Sequence, residues 1–245
     1  MMEKRAALPK LVGKLTTEFE AAIRVTPEHS LRAWARLALV GVMAVMLGLY
    51  AAIALLGAFG ERGSHFLWEE AALLMFETWP ISFSTAVWFQ TLGTDFTLLI
   101  VVMTTAGLAI WNGRPLLAAS IVLSIILMDA VVRIGWFSLE RARPDIIAQG
   151  IASPGFHSFP SGHTAKTLAL YGLLASHWFR ISQSSIERLI IIVLALAIAI
   201  VVPFGRMRMG VHWPTDILGG YFLAIMWLIF IVAALKHERI AVPRR

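Results

Sequence analysis

Residues 115–137 read PLLAASIVLSIILMDAVVRIGWF, an apolar run in which only Asp129 and Arg133 carry charge. About 20 predominantly apolar residues in a helix cross a hydrocarbon core, so this stretch predicts a transmembrane helix. The same pattern recurs on both sides of it, at Leu37–Phe59, Phe96–Trp111, Leu189–Phe204 and Ile217–Leu235. A sixth segment, Gly162–Phe179, is less apolar and carries Lys166, which predicts a helix buried inside the bundle rather than one facing lipid. Phe66–Thr94 is apolar too, but Glu69, Glu70, Glu77 and Pro80 interrupt it. Short interfacial helices are expected there in preference to a seventh span. The predicted fold is therefore an all-α, polytopic six-transmembrane helix bundle.

Composition agrees with that reading. The 245 residues are 58% hydrophobic and 15% charged, with a mean hydropathy of +0.76, beyond the range of ordinary soluble domains. The apolar segments consume nearly the whole length, so one domain is expected over residues 37–236, with a cytoplasmic or interfacial segment at 1–36 and a short tail at 237–245. No cysteine is present, which excludes disulfides and thiolate metal ligation. The net charge of +6 does not point to nucleic acid, because the basic residues are scattered at the ends of apolar segments. The first apolar segment follows a charged leader and is too long for a signal-peptide core, so it is expected to stay in the mature protein. In the leader, Leu8, Leu11, Leu15, Phe19 and Ile23 recur at helical spacing among Lys10, Lys14 and Arg24, predicting an N-terminal helix on the membrane surface. Thr26-Pro27-Glu28 reads as a fresh helix start. The glycines of the first span are too sparse to read as a packing motif.

With six spans the termini share a side. That side collects Lys4, Arg5, Lys10, Lys14, Arg24, Arg32, Arg36, Arg114, Arg180, Arg188, Lys236, Arg239, Arg244 and Arg245, which marks it as cytoplasmic. The other side holds Arg62, Arg141, Arg143, Arg206 and Arg208. Trp34, Trp68, Trp79, Trp111, Trp136, Trp178 and Trp213 fall near predicted span ends, where most are expected to act as interfacial anchors.

Three fragments on that second side carry chemistry: Arg143-Pro144, then Pro160-Ser161-Gly162-His163, then Arg206 with His212 and Asp216. Ser161 sits where an N-cap would open a helix, so the N–H groups of Gly162 and His163 would face outward, as at helix ends that bind phosphate. His163 can supply a proton near neutral pH. Alone, this fragment reads equally well as an ordinary capped helix with an interfacial histidine. His212 and Asp216 are four apart, with Pro214 suited to a first helical turn between them. That spacing can bring a carboxylate to one imidazole nitrogen and leave the other free to attack. No cluster of further ligands accompanies the pair, which weighs against a metal site. Arg143 and Arg206 offer planar forks suited to phosphate oxygens, though in isolation each reads as a headgroup contact.

Taken in order, the fragments resemble the signature of the type-2 phosphatidic acid phosphatase family: Lys, six residues, Arg-Pro; then Pro-Ser-Gly-His; then Ser-Arg, five residues, His, three residues, Asp. The resemblance covers about the C-terminal half, from the third span through Gly219 and Gly220. It implies a six-helix membrane phosphatase working through a phosphohistidine without metal or other cofactor. Carried over residue by residue, His212 is the nucleophile, Asp216 its orienting partner and His163 the general acid, with Arg143, Ser161, Gly162 and Arg206 cradling the phosphate. Two positions depart from the signature: Trp136 stands where the family has lysine, and Gly205 where it has serine. Lys166, one turn past His163, is expected to supply the missing charge, with Arg141 the other candidate and Arg133 free to pair with Asp129.

The expected partners are the bilayer and a lipid phosphate or diphosphate, such as phosphatidate, phosphatidylglycerophosphate, an isoprenyl diphosphate or lipid A phosphates. The expected location is a bacterial cytoplasmic membrane with the site facing outward. A phosphotransferase using the same phosphohistidine and a non-catalytic lipid-binding or transport protein are the competing readings. Neither the oligomeric state nor the particular lipid follows from the sequence.

Overall fold

The computed structural model describes residues 3–59, 65–147, 157–236 and 238, with side chains from residue 12 onward. Expectations for the side chains of Lys4, Arg5, Leu8, Lys10 and Leu11, and for Arg62, Arg239, Arg244 and Arg245, lie outside the described residues. Among the described residues all regular structure is helical: α1 (Glu3–Val25), α2 (Glu28–Phe59), α3 (Leu67–Glu77), α4 (Phe83–Gln90), a 3-10 turn (Thr91–Gly93), α5 (Asp95–Trp111), α6 (Pro115–Leu139), α7 (Gly162–Ile181), α8 (Ser185–Arg208) and α9 (Pro214–Leu235).

Among the described residues five stretches are long and apolar enough to cross a membrane: α2, the run Phe83–Trp111 from α4 through α5, α6, α8 and α9. Such a set fits an integral membrane protein. α2 opens after Pro27, as the Thr26-Pro27-Glu28 pattern predicts, and so begins well before the apolar residues do. The Phe66–Thr94 stretch is broken into the two short helices α3 and α4, but α4 continues the apolar run of α5.

α7 occupies the middle of the bundle, packed on α6, α8 and α9 and burying Ala165, Thr167, Ala169, Leu170 and Leu173. Its polar content is tolerated because neighbouring helices, not lipid, surround that face. The main core gathers Val45, Leu49, Ile121, Met128, Leu170, Leu173 and Trp227 from four helices, α2, α6, α7 and α9. Two indoles in it are satisfied by serines of α6: Trp227 Nε1 donates to Ser124 Oγ at 2.7 Å and Trp34 Nε1 to Ser120 Oγ at 2.9 Å. The first-span glycines do mark a contact. A Cβ at Gly41 would lie 2.8 Å from Phe230 Cβ, and one at Gly48 would lie 2.7 Å from Met226 Sδ, so α2 and α9 approach where those side chains are missing. A spacing of seven residues hid this from the sequence reading.

Short turns at 112–114, 182–184 and 209–213 join α5 to α6, α7 to α8 and α8 to α9 in alternating directions, and the start of α7 returns to the end of α6, where Trp136 Nε1 donates to Pro160 O. The C-terminal ends of α6 and α8 therefore meet the N-terminal ends of α7 and α9 at one end of the bundle. At the opposite end Arg114 Nη1 lies 2.5 Å from His177 Nε2, and Glu238 accepts the Leu116 and Leu117 N–H groups at 3.1 and 3.3 Å. There, burial raises the Glu238 carboxyl above its ordinary pKa, opposed by those two N–H groups and by Arg114.

Candidate active site

Backbone reversals deliver the three fragments to one place. α6 ends at Glu140, whose φ of 50° lies in the left-handed region, and the chain turns back so that Ser158 N donates to Arg141 O at 2.9 Å. α8 ends in a turn at Gly210, φ +66°, where a Cβ would also lie 2.7 Å from Ile147. Glycine is required there on both counts. α7 is capped by Ser161, whose Oγ accepts from Thr164 N at 3.5 Å and from Thr164 Oγ1 at 3.0 Å. Ser161 N donates in turn to Asp216 O at 3.0 Å, which locks the first turn of α9 onto the start of α7. The approach is close because Gly220 lacks a Cβ that would lie 2.9 Å from Ser161 O.

His212 Nδ1 lies 3.4 Å from Asp216 Oδ2, with both side chains buried. Nδ1 has no partner of hydrogen-bond geometry among the described residues. Asp216 is itself fixed on both oxygens: Oδ2 accepts from Trp213 N at 2.8 Å, and Oδ1 accepts from Arg141 Nη1 at 2.6 Å. Pro214 occupies the first turn of α9, as its place in the sequence predicts. Burial first, then Arg206 and Arg143, hold His212 well below the ordinary imidazole pKa, while the Ser158 backbone acts in the other direction. The ring is therefore neutral at neutral pH and its lone pair is available.

His163 lies within coulombic reach of Arg206, His212, Lys166 and Arg143, so the two histidines share one charged surround. Arg143 donates through Nη1 to Val211 O at 2.6 Å, and its guanidinium stands 5.9 Å from the Trp136 ring centroid. Burial lowers the Arg143 pKa and Asp216 partly restores it. Arg206 is buried and donates through Nη1 to Gln90 Oε1 at 2.5 Å. Gly162 is packed against Val132 of α6, with room for a Cβ only at 3.3 Å. Such a place can hold a multiply charged oxyanion between arginines and a helix N-terminus beside a neutral imidazole with a carboxylate 3.4 Å away.

Residues 117–240 match the PAP2 superfamily. The chain belongs to the PAP2 superfamily. Phosphatidylglycerophosphatase B of Bacillus subtilis (strain 168) is 30% identical over 178 residues, which span 69% of this chain and 82% of that protein. Among solved structures, the transmembrane PAP2-type phosphatidylglycerolphosphate phosphatase from Bacillus subtilis superposes with a TM-score of 0.63 at 20% identity, covering 80% of this chain and 95% of that one. Aquifex aeolicus LpxE gives a TM-score of 0.51 at 21% identity, covering 70% and 96%. Both share the fold.

This PAP2 protein arranges its departures from the family signature in definite ways. Trp136 donates through Nε1 to Pro160 O at 3.2 Å, so the indole that replaces a lysine braces the loop ahead of Ser161. Lys166 does not stand as an unpaired cation: its Nζ pairs with Asp95, and with Asp129 Oδ1 at 3.5 Å. Arg133 Nε donates to Asp129 Oδ2 at 2.7 Å, the pairing its spacing predicts. Arg141, the alternative cation, is committed to carboxylates, bridging Asp216 and Glu69, with Nη2 to Glu69 Oε2 at 2.6 Å. Trp213 is buried rather than interfacial, donating through Nε1 to Ala142 O at 2.9 Å and stacking on His65 at 4.0 Å.

Sequence reasoning missed two residues. Glu69, read as an interruption, is fully buried and accepts Thr215 N at 3.0 Å and Thr215 Oγ1 at 2.7 Å besides its pairing with Arg141. A carboxylate inside an apolar run was the available signal. Gln90 gave none.

Proposed function

We propose that this PAP2 superfamily member is a lipid phosphatase that hydrolyses a lipid phosphate monoester or diphosphate through a phosphohistidine on His212. The observation that carries the reading is the chain Glu69–Arg141–Asp216–His212, which ends in a neutral imidazole among Arg143, Arg206 and His163. Asp216 beside Nδ1 favours the tautomer with its proton there, which leaves Nε2 as the nucleophile. The bound phosphate anion offsets the arginine field, so His163 takes up a proton with the substrate; Nε2 then attacks phosphorus in line while His163 gives that proton to the departing oxygen. His163 then takes a proton from water, which cleaves the P–N bond, releases inorganic phosphate and restores His212. Arg143, Arg206 and the N–H groups that follow Ser161 hold the equatorial oxygens, where charge accumulates. Lys166, already shared between two carboxylates, contributes only a weakened field to the same site.

α7 is the sixth span, sheltered by its neighbours, and α1 lies along the cytoplasmic surface, where Lys14 Nζ stands 4.4 Å from the Trp111 ring centroid at the end of α5. The site then opens at the extracytoplasmic face of a bacterial cytoplasmic membrane. The similarity to a phosphatidylglycerophosphatase makes phosphatidylglycerophosphate the first substrate to test. The deciding experiment measures phosphate release from a panel of lipid phosphates and diphosphates with and without EDTA. Chelator-insensitive turnover that vanishes in His212→Ala is expected. Turnover retained in His212→Ala, or lost with EDTA, would refute the mechanism. Transfer of the phosphoryl group to a lipid acceptor instead of water would assign the same site to a transferase.

A further inference from the structure

We propose that Gln90 is a positioning residue for Arg206, and that Gly205 is what allows it to reach; this rests on the phosphate-binding role given to Arg206 above. Where the family signature has serine before this arginine, the chain has glycine, and there is no room for anything else. A Cβ at position 205 would lie 2.6 Å from Ala86 O, 3.1 Å from Phe89 Cβ and 3.3 Å from Gln90 N. The backbone of α4 fills the space a serine would need. That contact sets the last residue of α4 beside Arg206, where Gln90 Oε1 accepts from Nη1 at 2.5 Å.

The segment carrying Gln90 is held in register with the rest of the site. Tyr171 of α7 donates to Leu92 O at 3.1 Å. A Cβ at Gly93 would lie 2.7 Å from Thr167 Oγ1, 2.8 Å from Val202 Cγ1 and 3.1 Å from His163 Cδ2. Residues 90–93 thus wall the site against both Arg206 and His163.

A guanidinium is planar, so fixing Nη1 fixes where its other edge points. On that edge Arg206 Nε is buried and has no hydrogen-bond partner among the described residues. Buried donors are rarely left so, and an oxyanion meets the Nε edge with two oxygens. The carboxamide suits this task because it accepts a hydrogen bond without neutralising the arginine. A carboxylate in its place would bind Nη1 more strongly and compete with phosphate for the same charge.

Gln90→Glu, read beside Gln90→Met, separates positioning from simple tethering of α4 to α8. It keeps the shape and strengthens the bond to Arg206, so a tether predicts an equal or higher thermal midpoint, with anion binding weakened only by the added charge and left intact in the uncharged Gln90→Met. Positioning predicts inorganic phosphate binding weakened about tenfold or more, on the scale of one charge-assisted contact, with no fall in midpoint. Gln90→Met, which removes the carboxamide at similar length and adds no charge, is expected to raise KM about fivefold with kcat changed less. Calorimetric titration of inorganic phosphate into the detergent-solubilised chain, beside lipid phosphate turnover, reads both. Phosphate affinity equal to wild type in Gln90→Met, or no phosphate binding by wild type at millimolar concentration, would overturn the proposal. If affinity depends on Gln90 yet no lipid phosphate is turned over, the positioning stands and the phosphatase reading falls. If turnover holds while Gln90→Met binds phosphate as wild type does, the reverse follows.

Discussion

His212 is buried among arginines, which favour its neutral form, and that choice has a consequence for stability as well as for attack on phosphorus. Its folded pKa lies well below the ordinary value of about 6.5, so as pH falls through that value the unfolded chain takes a proton the folded chain refuses. The unfolded state then binds more protons and stability declines with falling pH. The thermal midpoint in detergent is expected to drop between pH 7 and pH 5, and the slope to flatten in His212→Asn; an identical slope in that variant would exclude His212 as its source. Lys166 presents a different case, because Asp95 and Asp129 already share its charge. Lys166→Met is expected to lower substrate affinity only a few-fold, since a paired charge projects a weaker field than a lone one. Full turnover with unchanged KM in that variant would remove Lys166 from phosphate binding altogether.

At the scale of the helices, the site depends on how closely the start of α7 meets the start of α9. Gly220→Ala places a methyl 2.9 Å from Ser161 O and 3.2 Å from Ala165 N, both backbone atoms that cannot swing aside. Overpacking of this kind costs about 1–3 kcal/mol, so a lower thermal midpoint is expected together with reduced turnover, because the same displacement parts His163 from His212. Gly107→Ala is the control: a Cβ there meets nothing within 4 Å, and the change should be neutral or stabilising by roughly 0.5–1 kcal/mol through helix propensity. Local features of these helices were legible in the sequence because local chemistry sets them. The Ser161 cap, Pro214 in the first turn of α9 and the four-residue step from His212 to Asp216 each depend on neighbours within one turn. Gln90 meets Arg206 across 116 positions and Glu69 meets Arg141 across 72, and no periodicity encodes a pairing at such separations. Trp213 misleads for the same reason: an indole at a helix start looks like an anchor until Arg141 and His65 are seen packed on it.

Across the whole molecule, orientation is decided by which cations face the surface. At the site end Arg141, Arg206 and Arg208 are only 2%, 9% and 7% exposed, so they serve internal contacts and leave the headgroup region to others. At the opposite end Arg114, Arg180, Arg188 and Lys236 flank the turns and the end of α9, the bias expected of a cytoplasmic side. The native chain has no cysteine, so single cysteines report topology without background. Ser138 at the end of α6, Asn112 in the α5–α6 turn and Gln183 in the α7–α8 turn are all exposed. A membrane-impermeant maleimide added to intact cells is expected to label Ser138→Cys, and to label Asn112→Cys and Gln183→Cys only after permeabilisation. The two turns are separated by α6 and α7, so they share a side only if both helices cross or neither does. Labelling of Ser138→Cys opposite to Asn112→Cys shows that α6 crosses, and Gln183→Cys then reports α7 alone. If Gln183→Cys were labelled from outside while Asn112→Cys was not, α7 would not span and the six-span topology would fail; full reversal of the pattern would turn the site toward the cytoplasm.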